Sequence, residues 1–164
     1  MSMQEALSMS QGALRFREVQ RFSGNPLTWA AGIGLVAAFA GCMVSGPNPG
    51  NVILLVVLAC VGLLLFFGEL RTEVRDGALY TRVFPLTRQH RFSWDEIRSC
   101  EARTYRPLIE YGGWGVRCGR GGKAYNVSGN RGVQLEFTNG KRLLIGSQRA
   151  EELAAAIQQL SGRA

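Results

Sequence analysis

The sequence has no charged side chain between residues 27 and 68, and apolar residues dominate this stretch. Arginine is frequent on either side of it, and the chain of 164 residues carries a net charge of +7. A surface that faces water normally carries many charged residues. Their absence excludes an ordinary solvated domain here and predicts that lipid is the solvent of this stretch.

The sequence also lacks the patterns of metal, redox and catalytic sites. None of its four cysteines lies in a Cys-x-x-Cys motif, and we expect all four to be reduced. His90 is the only histidine, so it has no partner for a multi-histidine metal site, and we expect it on an exposed strand face. Asp95 and Glu96 follow Ser93 as in a turn or a short helical cap. We therefore predict a protein that is not an enzyme and that has no cofactor.

The charge-free stretch divides into two apolar segments, 27–45 and 52–68, each about long enough as a helix to cross a bilayer. Between them, residues 46–51 include two prolines and two glycines, which break a continuous helix. We predict transmembrane helices at 27–45 and 52–68, joined by a short extracytoplasmic turn at 46–51.

The distribution of arginine predicts the orientation of this hairpin. Arg15, Arg17 and Arg21 precede the first segment, Arg71 and Arg75 follow the second, and the turn has no charge. The positive-inside rule then places both termini in the cytoplasm, as in a multi-pass protein of the cell inner membrane. An alternative, in which a lipoprotein signal peptide ends at Gly41 and Cys42 begins the exported chain, requires a leader of about 41 residues where 15 to 30 are usual.

The N-terminal residues 1–23 are predicted to form a cytoplasmic or interfacial segment. Apolar and charged side chains alternate from Leu14 to Phe22. Such a segment fits along lipid headgroups, as an edge strand of the folded domain, or as a tethered tail.

Residues 70–161 are predicted to form one β-rich domain, in which the sequence from residue 70 to about 145 shows the two-residue periodicity of short antiparallel strands. Asp76-Gly77 and Thr138-Asn139-Gly140 are turn sequences that predict hairpins. The last segment, 148–160, has the apolar face of a helix, with Ser147 as its N-cap. The strands are predicted at 70–75, 78–84, 88–92, 97–104, 114–118, 124–127, 133–137 and 141–145.

These features together resemble the bacterial membrane proteins that carry a pleckstrin-homology-like (PH-like) domain. The resemblance lies in the hairpin at 70–84, the Phe-Ser-Trp-Asp-Glu-Ile stretch at 92–97 and the segment 138–147 before the helix. It implies a membrane α-helical hairpin plus a mainly-β domain, a partly open barrel of about seven strands capped by a C-terminal helix. It also implies a binding or scaffolding role at the inner membrane.

Glycine, aromatic and basic residues interleave between residues 105 and 123. Glycine allows close approach of a ligand, and arginine or lysine can hold phosphate. Alternatively, the Gly-Gly-Trp-Gly run is a bulge where a strand bends, with its tryptophan in the core. The spacing of the glycines does not match a nucleotide-binding loop. The candidate binding-loop residues are Arg106, Tyr111, Trp114, Arg117, Arg120 and Lys123.

Two functions follow from these patterns. The first is a membrane-anchored module that binds a protein partner or assembles with copies of itself. The alternative is direct binding of anionic lipid headgroups by Arg71, Arg75 and Arg88, a contact that salt would weaken. The expected partners are the lipid bilayer and a protein or a second copy, and not nucleic acid.

Overall fold

The computed structural model describes residues 13–24, 26–46, 48–119 and 121–162. They form two compact units. We refer to Arg21–Gly68 as the helical unit and to the described residues on either side of it, up to Gln20 and from Glu69, as the β unit.

The helical unit consists of two helices, α1 at Pro26–Ser45 and α2 at Pro49–Phe67. The chain reverses between them, where the sequence predicts a break. Asn48 starts α2 by accepting the backbone N–H of Asn51 on its side chain, and Pro49 occupies the first helical position, where its missing N–H costs nothing. The N–H of Phe22 donates to the carbonyl of Gly68 at 3.0 Å, so the two ends of the unit meet.

The prediction that these helices cross a membrane is wrong. A membrane span needs about 20 consecutive residues that are predominantly apolar. Among the residues that the structure describes, no helix is both long enough and apolar enough to meet this requirement. The expected transmembrane helices at 27–45 and 52–68, and with them a multi-pass inner-membrane location, are not supported. The prediction relied on the lack of charge, the apolar composition and the approximate length of the two segments, and the described helices do not meet the requirement of length and hydropathy together.

The first sheet of the β unit has four strands in sequence order. The Asp76-Gly77 turn joins the second and third strands as an antiparallel hairpin, as predicted. Leu70, Thr72 and Val74 of the second strand are buried, whereas the residues between them are half-exposed, which is the period of a strand with one covered face. The strands are β1 at Leu14–Arg21, β2 at Glu69–Arg75, β3 at Ala78–Phe84 and β4 at His90–Phe92.

The second sheet has five strands: β5 at Ile97–Thr104, β6 at Gly115–Gly119, β7 at Gly122–Asn126, β8 at Arg131–Phe137 and β9 at Arg142–Gly146. Their order is β5-β8-β9-β7-β6. The predicted hairpin between β8 and β9 is present, but β7 and β9 pair in parallel. A parallel pair requires a crossover, here through β8, which the two-residue pattern of the sequence does not specify.

Two further helices complete the β unit, α3 at Pro107–Tyr111 and α4 at Ala150–Ser161. The last of these, α4, contacts β5 and β8, and its Leu153 and Ile157 side chains are fully buried. It begins two residues later than predicted. Ser147, the expected N-cap, instead donates its hydroxyl to Glu18 and accepts the N–H of Arg149.

The strand β1 is bound to the unit by side chains as well as by its place at the edge of the first sheet. Phe16 is buried beneath the guanidinium of Arg149, at 4.9 Å from the ring centre. Glu18 accepts from the Ser147 hydroxyl and from the Gln148 N–H. The alternating N-terminal segment is therefore an edge strand, one of the three alternatives that its sequence allowed.

The strands form two separate sheets, and the prediction of one partly open barrel of about seven strands is wrong. The described residues form a mixed α/β fold with four helices and nine strands. The hairpins and the C-terminal helix were identified correctly. Turn sequences and two-residue periodicity predict individual hairpins, but they do not indicate whether successive hairpins belong to one sheet or to two. In this chain the second sheet begins at β5.

Candidate binding cleft

Three chain segments of the β unit surround an open cleft of about 810 Å³. They are the short strand β4, the β6–β7 hairpin and the turn between β8 and β9. A cleft of this size falls within the range of ligand sites in proteins, roughly 300 to 1,000 Å³. We call it the β-unit cleft.

One wall of the cleft is aromatic. His90 of β4 stacks on Tyr125 of β7 with 5.9 Å between ring centres and lies 6.2 Å from the ring of Phe92. Phe92 in turn lies 5.2 Å from Phe137 at the end of β8. Burial raises the pKa of the Tyr125 hydroxyl, which therefore stays protonated. We refer to His90, Phe92, Tyr125 and Phe137 as the aromatic wall.

The rim of the cleft carries cations. Lys123 and Lys141, the only two lysines of the chain, both line it and are exposed. Arg142 lines it as well and lies 3.9 Å from Glu136. We call Lys123, Lys141 and Arg142 the cationic rim. Among the described residues, neither lysine forms an ion pair, so both ammonium groups are available to a ligand.

A single carboxylate, Glu96, also lines the cleft. It closes a capping box, in which its side chain accepts the N–H of Ser93 at 2.9 Å and its own N–H donates to the Ser93 carbonyl. The sequence prediction of a helical cap at this position is confirmed. Because Glu96 is engaged with its own turn, the cleft as a whole favours an anionic ligand.

Glycines allow the strands that hold the rim to approach closely. Gly122 has a φ of +99°, and a Cβ atom built there would lie 2.3 Å from the carbonyl oxygen of Arg142. A side chain at this position would therefore push β7 away from β9. Gly140 turns the β8–β9 hairpin with a φ of +77°, a conformation that glycine adopts without strain.

The structure distributes the predicted binding loop over several sites. Arg106 precedes α3, and Tyr111 is buried in a cluster with Tyr105, Ala124 and Leu144. The indole N–H of Trp114 donates to the Gly129 carbonyl at 3.0 Å. Of the six candidates only Lys123 lines the cleft; Arg117 is exposed and donates to the Trp114 carbonyl, and Arg120 lies outside the described residues.

The predicted headgroup contacts lie on the first sheet. Arg71 and Arg75 line a small groove of about 180 Å³, and each forms an ion pair at 2.8 Å, with Glu69 and Glu73 respectively. Arg88 is exposed just before β4. None of the three lines the β-unit cleft.

Glu110 fixes the loop around α3. Its carboxylate accepts hydrogen bonds from the backbone N–H of Arg106 at 2.7 Å and from the guanidinium of Arg103 at 2.6 Å. These two bonds hold the pKa of the Glu110 carboxyl below its usual value. A lowered pKa in the folded state stabilises the fold above the unfolded pKa, and this contribution is lost as the pH falls through the folded value.

We therefore expect the β unit to lose stability on acidification below about pH 4.3, the ordinary value for glutamate. The variant Glu110→Gln should lose less stability than the wild type between pH 5 and roughly pH 3, because it has no carboxylate to protonate. Urea unfolding at several pH values measures this difference. An identical pH dependence in both proteins would contradict the assignment.

Sequence reasoning did not identify most of the residues that line the cleft. It missed the aromatic wall, in which His90 was expected only as an exposed strand residue, and it missed two members of the cationic rim, Lys141 and Arg142. One signal was present, because the chain has 19 basic residues of which only two are lysines, and both line the cleft. The stacking itself has no sequence signal, since it joins strands that are far apart in the chain. Among the described residues, no cluster of His, Cys, Asp and Glu could hold a metal ion.

Comparison with known protein families finds no matching family, and comparison with curated proteins finds no match either. The resemblance to bacterial membrane proteins with a PH-like domain is not supported, because neither its membrane helices nor its single barrel is present among the described residues. The cleft itself therefore provides the evidence on function.

Proposed function

We propose that this protein is a non-enzymatic binding module that holds a segment of a partner protein in the β-unit cleft. The observation that carries the proposal is the combination of the aromatic wall with the cationic rim in one open cleft. Aromatic side chains are enriched where proteins bind one another, and charged groups at the edge of such a site orient the partner. The partner is either another protein or a second copy of this chain.

The shape of the cleft supports a chain segment as its occupant. The cleft is open to solvent, so a segment that belongs to a larger chain can reach it. Its aromatic wall offers an apolar surface for an anchoring side chain, and the rim offers charge for orientation. Glycines 119, 122 and 140 line the same space and leave backbone atoms accessible.

Direct binding of lipid headgroups has weaker support. Arg71 and Arg75 already pair with carboxylates, and a headgroup would have to compete with these partners. We keep this alternative as an outcome of the experiment.

The proposal predicts that removing the two rim lysines weakens peptide binding. A displayed library of random peptides is selected on the full chain, and the recovered peptides are titrated against wild type and Lys123→Ala/Lys141→Ala by fluorescence anisotropy. We expect the dissociation constant to rise about tenfold, equivalent to about 1.4 kcal/mol. The reason is the loss of two exposed ammonium groups that have no protein partner among the described residues.

The matched control is Arg88→Ala/Arg117→Ala, which removes two exposed charges outside the cleft. It should leave peptide affinity within about twofold of wild type. The same proteins are mixed with vesicles that contain anionic lipid. No selected peptide, or equal loss of affinity in both double variants, overturns the proposal. Vesicle binding that Lys123→Ala/Lys141→Ala retains and that Arg71→Ala/Arg75→Ala loses favours the lipid alternative.

A further inference from the structure

The two sheets of the β unit differ in extent at the cleft. β4 is the last strand of the first sheet, and its side chains contact β7 and the end of β8. The second sheet continues past β7 to β6, where Cys118 and Gly119 line the cleft. β4, the edge strand of the first sheet, therefore lines the cleft together with the β6–β7 hairpin.

The edge of β4 is suited to such a strand. Among the described residues, β4 pairs on one side only, with β3 over His90–Phe92. The outer edge of a strand presents unpaired N–H and C=O groups, which are a template for another chain in extended form. Because β4 has only three residues, this edge is too short to invite unspecific pairing and needs side-chain contacts as well.

The charges around this edge specify the chemistry of those contacts. Of the cationic rim, Arg142 pairs with Glu136 at 3.9 Å, whereas Lys123 and Lys141 form no ion pair among the described residues. Glu96, the one carboxylate that lines the cleft, accepts the Ser93 N–H. Acidic side chains complement this rim. The aromatic wall lines the same cleft and offers an apolar contact for a large side chain.

We propose that the partner segment is an extended strand, in which acidic residues flank a large apolar residue, and that it pairs with the outer edge of β4 as the fifth strand of the first sheet. Side chains alternate along a strand, so the apolar residue points to the aromatic wall while its acidic neighbours reach the rim. This inference rests on the proposed function and adds the conformation and the charge of the ligand.

The test uses the peptides selected on the full chain in the experiment above. Their aspartates and glutamates are replaced by the amides, and in a separate series alternate backbone amides are N-methylated. We expect each change to weaken binding at least tenfold, the first through lost charge pairing and the second through lost strand pairing. N-methylation of the other set of amides, which would face away from β4, should change the affinity less than threefold.

Reversing the charges of both the rim and the peptide provides a control. A variant that binds weakly because its fold is damaged would not regain affinity for a peptide of the opposite charge. The variant Lys123→Glu/Lys141→Glu should bind the acidic peptides at least 30-fold more weakly than wild type, and peptides with lysine at the acidic positions should recover affinity for it. Hydrogen exchange with bound peptide should show protection of the β4 amides.

The outcomes separate this inference from the proposed function. Peptides that bind in the cleft but lack acidic residues, tolerate both N-methylation series, or protect only β6 overturn the strand proposal and leave the binding module intact. Failure to select any peptide that depends on the cleft removes both.

Discussion

Replacing Gly122 by alanine is expected to destabilise the β unit by about 3 kcal/mol or more, because two costs add at this position. The φ of +99° is unfavourable for any residue with a Cβ atom, and that atom would lie 2.3 Å from the Arg142 carbonyl oxygen. Backbone atoms cannot move away as a flexible side chain does, so the parallel pairing of β7 with β9 must be distorted. The same distortion would widen the β-unit cleft and weaken peptide binding.

The measurement is urea unfolding followed by tryptophan fluorescence in a Trp29→Phe background, so that only Trp94 and Trp114 of the β unit report. Gly140→Ala is the matched control, because Gly140 also has a positive φ but no atom lies within 4 Å of the added Cβ. It should cost only about 1 kcal/mol. Equal effects of the two substitutions would show that close approach of β7 and β9 is not required.

The substitution Leu153→Ala should cost about 2 to 5 kcal/mol of unfolding free energy. Leu153 is fully buried on the face of α4 that packs on β5 and β8, and the truncation removes apolar contacts and leaves a cavity. The loss is large relative to the stability of a typical small domain, 5 to roughly 15 kcal/mol. We expect the midpoint in urea to fall, again measured by fluorescence in the Trp29→Phe background.

Leu108→Ala is the control for this prediction, since it is the same chemical change on the short helix α3. The Leu108 side chain is 64% exposed, whereas that of Leu153 is 0% exposed. The control should alter stability by no more than about 0.5 kcal/mol. A large loss in the control, or none at Leu153, would contradict the burial that the structure assigns to these two leucines.

The local elements of the β unit were accessible to sequence reasoning. The turns at Asp76-Gly77 and Thr138-Asn139-Gly140 and the apolar face of α4 each depend on residues close together in the chain. Their signals are turn chemistry and periodicity, which act over a few residues. The sheet order could not be derived in this way, because pairing of β5 with β8 or of β7 with β9 is a choice among distant strands.

The two helices of the helical unit were predicted correctly, but their placement in a membrane was not. The sequence correctly predicted two helices with a break near residues 46–51. The membrane surroundings were inferred from the lack of charge and the apolar composition of segments of about the required length, and the described helices do not satisfy the requirement of length and hydropathy together.

The β-unit cleft was the feature least accessible to sequence reasoning. The glycine-rich segment 105–123 was predicted to be a binding loop because its unusual residues are continuous in sequence. Tyr111 of that segment is nevertheless buried in the core. The cleft instead joins residues from 90 to 143, in which His90 stacks on Tyr125 although 35 positions separate them. Among the described residues, only Lys123 belongs both to the predicted binding loop and to the lining of the cleft.

The hydrogen bond between Phe22 and Gly68 has a consequence for how the chain is organised. It joins the residues that follow β1 and precede β2, which are neighbours in the first sheet, so the whole helical unit is a single excursion from one hairpin. The entropy of closing such an excursion grows only slowly with its length, by about 0.6 kcal/mol per doubling. Evolution can therefore lengthen, shorten or exchange the excursion while the hairpin that carries it stays the same.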